Sequence, residues 1–137
     1  MGCLWCGFEL SLSKNPEYIQ MFRDVTDYFI EHLPDDLIPY WDFDFDTGST
    51  EPRDSSSSPI AICGIYEMLP YLEKEEAEKY CMAADKMLCA LIESCAVKSI
   101  EQSNGLLLHG TYARDTKENT CTDRGVDECN TWGIISI

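Results

Sequence analysis

Ile60-Ala61-Ile62-Cys63-Gly64-Ile65-Tyr66-Glu67-Met68-Leu69 leaves almost no polar face at helical spacing, and a helix that is apolar all round is a buried one. Just upstream, Asp54-Ser55-Ser56-Ser57-Ser58 offers several capping side chains in a row. Pro59 suits a first helical turn, where its missing N–H breaks no bond. A buried helix needs amphipathic partners, and one follows. After a short connection at Pro70 to Lys74, the stripe Ala77, Tyr80, Cys81, Ala84, Met87, Leu88, Leu91 and Ile92 runs to about Cys95, opposite the charged Glu75, Glu78, Lys79, Asp85 and Lys86. The two segments read as a hairpin with an inner and an outer member.

On the N-terminal side, Asn15-Pro16-Glu17 marks another helix start: Asn15 can cap, Pro16 fits the first position, and Glu17 favours the helix dipole. Tyr18, Phe22, Val25 and Phe29 then recur at helical spacing, with Arg23, Asp24, Asp27 and Glu31 on the other side, as far as Leu33-Pro34. This amphipathic helix would be the outer partner of an inner helix before it. The inferred order of inner, outer, inner, outer predicts an all-α fold, part of an α/α barrel or helical toroid. One and a half hairpins do not close a ring, so the buried helix is expected to need further neighbours.

Between these helices, residues 34–53 hold three prolines, a Gly48-Ser49 turn signal and the alternating run Trp41-Asp42-Phe43-Asp44-Phe45-Asp46. Alternation cannot put its aromatics on one helical face, so the segment reads as a long ordered loop, which in a compact domain is more often functional than not. Past Asn104-Gly105, Leu106-Leu107-Leu108 leads into His109-Gly110-Thr111-Tyr112 and then a polar stretch as far as Asn130. That pattern predicts a short extended segment and a loop at one end of the barrel.

The balance of 25 acidic against 10 basic residues, a formal net charge of −15, repels a nucleic-acid backbone and argues against nucleic acid as a partner. An anionic ligand would need a local basic cluster, and Arg53, Arg114, Lys117 and Arg124 all fall in segments read as loops. Four of the eight cysteines, Cys63, Cys81, Cys89 and Cys95, sit in apolar helical patterns and read as reduced core thiols. Met1-Gly2-Cys3-Leu4-Trp5-Cys6 lacks the basic start of a signal peptide, and no run approaches a membrane span. The expected setting is cytoplasmic, with no membrane partner.

Cys3 and Cys6 could form half a zinc site, but Cys121 and Cys129 are too widely spaced to supply the other half, so no metal or other cofactor is implied. Asp42, Asp44 and Asp46 could pair for acid/base work, though acidic loop residues are usually solvated. Asp54 reads as a helix cap with Arg53 beside it, His32 as a C-terminal cap and His109 as a packed, hydrogen-bonded histidine. Trp41 and Tyr112 belong together as candidate sugar platforms, because sugars are held against aromatic faces while polar groups set orientation.

Pro39-Tyr40-Trp41-Asp42-Phe43-Asp44, Glu51-Pro52-Arg53-Asp54-Ser55-Ser56-Ser57-Ser58, Ile60-Ala61-Ile62-Cys63-Gly64, then Gly105 to Tyr112 and Thr131-Trp132-Gly133, in that order, resemble glycoside hydrolase family 88, the unsaturated glucuronyl hydrolases. The resemblance runs from about Lys14 to Gly133 and corresponds to roughly the last third of a member. It implies a six-hairpin α/α barrel that acts on unsaturated uronyl oligosaccharides made by polysaccharide lyases. A carboxylic acid there protonates the C4=C5 double bond, water adds at C5, and the hemiketal collapses to release the next sugar. That route differs from displacement at the anomeric carbon.

The family's acid/base aspartates lie earlier in the barrel, so the resemblance carries no catalytic residue into this chain and implies that the 137 residues alone are inactive. Tyr112 falls on a tyrosine that contacts the unsaturated sugar, and Lys117 falls where members touch the following sugar. Trp41 and Arg53 complete the expected substrate-binding set, the Arg53-Asp54 motif chiefly in a structural role. The chain reads as one partial domain over residues 1–137. Residues 1–13 and 134–137 depart from the family pattern in a way that fits out-of-frame ends: an Asp-Tyr-Phe-Tyr coding sequence short of its first base reads as Ile134-Ile135-Ser136 followed by Ile or Met. Two other readings stand beside this one, an unsaturated rhamnogalacturonyl hydrolase and, from a different class, a non-enzymatic helical interaction module.

Overall fold

The computed structural model describes residues 15–99, 101–103, 105–112 and 125–129. Three α-helices form its frame: α1 (Glu17–Glu31), α2 (Ser57–Met68) and α3 (Lys74–Cys95), with a 3-10 turn (Leu69–Tyr71) between the last two. Among the described residues there is no β-strand, only the isolated antiparallel bridges Tyr40 to Arg53, Ala96 to Leu107 and Gly110 to Glu128.

The helices begin and end where their residues dictate. Asn15 Oδ1 accepts the Glu17 amide at 3.0 Å, giving α1 its start. At the other end His32 Nδ1 donates to the Tyr28 carbonyl at 2.7 Å while its ring stacks on Tyr28, and Pro34 prevents continuation. α2 starts two residues earlier than the block of caps suggests, with Ser57 and Ser58 already helical and Pro59 still in the first turn. α3 opens with Glu75 and Glu76 against the positive end of its dipole.

α2 is the interior rod. Ala61, Ile62, Gly64, Ile65 and Met68 are buried, and Glu67 is its only exposed residue. It packs along α3 and touches α1, joining Phe22, Tyr80, Ala84, Met87, Leu91 and Cys95 in one apolar core. The Phe22 ring meets Tyr80 edge-on at 5.1 Å. The core is thus better enclosed than one and a half hairpins suggest, because α1, α3 and the turn cover α2 between them.

The exposed apolar surface lies elsewhere: on α1 at Met21, Val25 and Tyr28, on α3 at Met82 and Ile92, and at Leu106. Three expectations are corrected here. Val25 is 40% exposed, because the buried line of α1 runs through Phe22 and Thr26, which rotates Val25 to its edge. Ile92 lies past the edge of the α3 stripe for the same reason. Cys89 is exposed rather than a core thiol, whereas Cys95 is buried and Cys63 and Cys81 are half-buried. Burial pushes the Cys95 thiol up to about 11, with the Asp36 charge adding, so it stays protonated.

Polar links fasten the two outer helices over the core. Arg23 grips Glu76 with two bonds of 2.6 and 2.9 Å. Asp27 accepts both Lys79 Nζ and the Tyr80 hydroxyl, which gives the buried phenol a partner. The paired hydrogen bonds from Arg23 hold the Glu76 carboxyl below the usual carboxylate range, against the opposing effect of burial.

Two outcomes follow from this packing. Ile65→Ala should cost about 2–5 kcal/mol, since the site is fully enclosed and cannot collapse freely; chemical denaturation midpoints measure it. The Glu76 pKa is lower folded than unfolded, so its stabilisation is present above the unfolded value and fades as pH falls through the folded one. With both side chains partly exposed, the amount is under about 1 kcal/mol. Glu76→Gln should therefore melt slightly lower at neutral pH and lose less stability than wild type between about pH 5 and pH 3, as read by thermal melts across that range.

Candidate functional site

Arg53, Trp41 and Tyr112 are carried by segments that converge just before the N-terminal end of α2. The backbone at Pro52–Asp54 is the shared element. Trp41 N–H donates to the Pro52 carbonyl at 3.1 Å and Asp54 N–H to the Pro39 carbonyl at 2.9 Å, tying the aromatic loop to one side. Thr111 Oγ1 donates to the Arg53 carbonyl at 2.8 Å, bringing in the segment that carries Tyr112.

Asp54 is the junction. Its Oδ1 accepts the Ser56 amide, the Ser56 hydroxyl and the Thr111 amide at 3.2, 2.6 and 3.2 Å. One carboxylate oxygen thus serves the approach to α2 and the 109–112 segment together, a wider role than the helix cap read from sequence. Ser55 adds two more ties to the same segment, its amide to the His109 carbonyl at 2.9 Å and its hydroxyl to the Leu108 carbonyl at 2.5 Å.

Arg53 is heavily engaged within the protein. Its guanidinium makes a two-pronged pair with Asp36 at 3.0 and 2.8 Å, donates to the Ile38 carbonyl, and lies over the Tyr40 ring at 3.9 Å. Such a planar fork is what Arg supplies and Lys cannot.

Trp41 is 36% exposed and its indole N–H donates to Glu51 at 3.1 Å. Tyr112 is 59% exposed, with its amide donating to the Gly125 carbonyl at 2.8 Å. Both therefore offer aromatic surface to solvent while their backbones are fixed. Lys117, Arg114, Arg124, Cys121 and the Cys3/Cys6 pair lie outside the described residues.

The alternating run behaves as a two-sided segment. Phe43 sits against Tyr28, Phe29 and His32, and Phe45 against Tyr40 and Trp41, while Asp42, Asp44 and Asp46 point to solvent. The burial that makes neighbouring carboxylates share a proton is missing at all three. Among the described residues no group of three or more His, Cys, Asp or Glu side chains is placed to hold a metal ion, and no helix is long and apolar enough to cross a membrane. A groove of about 530 Å³ lies between α1 and α3, lined by Ile30, Leu33, Met82 and Met87 among others; none of Trp41, Arg53 and Tyr112 lines it.

Asp36 and Asp127, the latter 2.5 Å from His109 Nδ1, were not legible as partners, because isolated loop aspartates carry no spacing signal. The Asp54 junction is the most direct to test. Asp54→Ala should cost about 1–3 kcal/mol by leaving two amides and a hydroxyl without their acceptor, while Asp54→Asn, which keeps a carbonyl oxygen there, should lose less; denaturant unfolding of both variants checks the order.

No protein-family model matches the sequence. Among curated proteins the chain is 44% identical over 122 residues to an unsaturated chondroitin disaccharide hydrolase of Streptococcus pyogenes, covering 88% of this chain and 29% of that protein. It is 40% identical over 131 residues to the protein of the same description from Streptococcus agalactiae, covering 93% and 31%. The chain therefore spans about 30% of the length of the curated relatives it matches. Among solved structures, a variant of the Streptococcus agalactiae unsaturated glucuronyl hydrolase complexed with dGlcA-GalNAc6S superposes with a TM-score of 0.88 at 36% identity, covering 98% of this chain and 35% of that one.

Proposed function

We propose that the chain belongs to the unsaturated glucuronyl hydrolases, glycoside hydrolase family 88, as its similarity to them supports, and that it supplies a sugar-binding end of an α/α barrel that releases Δ4,5-unsaturated uronic acid from lyase-made disaccharides. The observation that carries this reading is the convergence of the segments bearing Trp41 and Tyr112, both solvent-facing aromatics, on the backbone of Pro52–Asp54 just before the interior helix, through Trp41 itself and through Thr111.

In this reading the 137 residues are one partial domain. The rings of Trp41 and Tyr112 offer flat faces to sugar rings, and Lys117 meets the following sugar. Arg53 contributes by fixing, through Asp36 and Tyr40, the loop on which Trp41 stands. The acid that protonates the C4=C5 double bond comes from outside this chain, which alone is inactive. The unsaturated disaccharide of chondroitin is the first substrate to try. The free thiols of Cys63, Cys81, Cys89, Cys95 and Cys129 favour a reducing, cytoplasmic setting.

The test is a chimaera in which residues 15–129 replace the matching segment of the Streptococcus agalactiae enzyme. It should consume the double-bond absorbance of unsaturated chondroitin disaccharide, and Tyr112→Ala should lower kcat/KM about ten-fold or more. A folded chimaera without turnover, or one indifferent to Tyr112→Ala, rules the reading out.

A further inference from the structure

His109 and Asp127 face each other across the base of the segment that leaves Tyr112 and returns at Gly125. Their Nδ1 and Oδ1 atoms are 2.5 Å apart. Both residues have left-handed backbones, with φ of 65° and 54°, a region that non-glycine side chains seldom adopt although His and Asp tolerate it.

Around this contact the two chain segments are held in one register. Gly110 and Glu128 exchange both backbone hydrogen bonds at 2.8 Å, and Tyr112 N–H donates to the Gly125 carbonyl. Glu128 Oε1 accepts the Gly125 amide at 2.8 Å, and Asp127 N–H donates to Thr111 Oγ1 at 3.4 Å. Thr111 in turn is bound to Arg53 and Asp54.

The pair is poorly suited to holding the whole fold. Its side chains are 45% and 67% exposed, and even a fully charged contact at such exposure adds little to global stability. A position chosen only for left-handed backbone would favour glycine. What the pair does supply is a side-chain tie running diagonally across the bridge, from the neighbour of Gly110 to the neighbour of Glu128, next to Thr111, which binds Arg53 and Asp54 and precedes Tyr112.

We propose that His109 and Asp127 are positioning residues whose contact sets the register between residues 109–112 and 125–128 and thereby holds Tyr112 where it meets the sugar. The role in ligand binding rests on the reading of Tyr112 given above; the role in register does not.

Two measurements separate these levels. In the 137-residue chain and in the chimaera, amide hydrogen exchange at Gly110, Tyr112 and Glu128 should quicken about ten-fold or more in Asp127→Ala and His109→Ala while amides of α2 and α3 hold their wild-type rates. Asp127→Asn, which retains an acceptor oxygen, should stay near wild type. In the chimaera, Asp127→Ala should raise KM for the unsaturated disaccharide about five-fold with kcat nearly unchanged, and Asp127→Asn should restore it. Unchanged exchange at the three amides, or equal quickening throughout α2 and α3, overturns the register role. Selective quickening with an unchanged KM overturns the positioning of Tyr112 for ligand. Selective quickening in a chimaera that is inactive even without the substitution leaves the register role standing and removes the sugar contact.

Discussion

The surface of α2 has to be enclosed on nearly every side, and α1, the 3-10 turn and α3 do this with Phe22, Tyr80, Met87 and Leu91. Each such side chain withdrawn from water contributes about 1.5–3 kcal/mol, which is why the interior rod and its covers must form together. Enclosure then dictates the polar chemistry at the rim. The Tyr80 hydroxyl, carried inside by its ring, reaches Asp27, and burial followed by this bond pushes its pKa up, keeping the phenol neutral. Arg23 and Glu76 close the gap between the outer helices at a place where an apolar pair would lie half in water.

The same rod creates the candidate site at its N-terminal end. The first amides of any helix lack intrahelical acceptors, and the residues leading into this one, Asp54 through Ser57, are rich in side-chain oxygen. Asp54 and Ser55 use that capacity in two directions, toward the start of α2 and toward residues 108–111. Ser58 Oγ is the exception: it is buried without a hydrogen-bond partner among the described residues, and an orphaned hydroxyl of this kind costs about 1–3 kcal/mol. A helix start rich in hydroxyls thus doubles as the platform on which the segment bearing Tyr112 is mounted.

The outer surface divides by chemistry. Acidic side chains of the 34–53 loop face water while Phe43 and Phe45 turn inward to pack on α1 and Tyr40. Met21, Val25 and Tyr28 form an apolar stripe on α1 that the described residues leave exposed, in keeping with the proposal that this chain is part of a larger barrel. Large exposed apolar surface on a compact unit marks a place where something else packs.

The sequence by itself determined the three helices and their order, because each rests on local chemistry. Asn15 and Pro16 start α1, the unbroken apolar run makes α2 interior, and the stripe ending at Cys95 defines α3. It also determined that residues 34–53 would form an ordered loop, since an alternating run cannot place its aromatics on one helical face; that Phe43 and Phe45 pack inward while the aspartates face water was decided by the tertiary structure. Only the tertiary structure decided which side chains share an acceptor or an ion pair. Asp54 joining Thr111, Arg53 closing on Asp36, and His109 meeting Asp127 all link residues far apart along the chain or in loops without periodicity. Such contacts depend on how helices set the ends of loops in space. Likewise the exact edge of a buried face, which left Val25, Cys89 and Ile92 outside, depends on the neighbour that covers it and not on spacing alone.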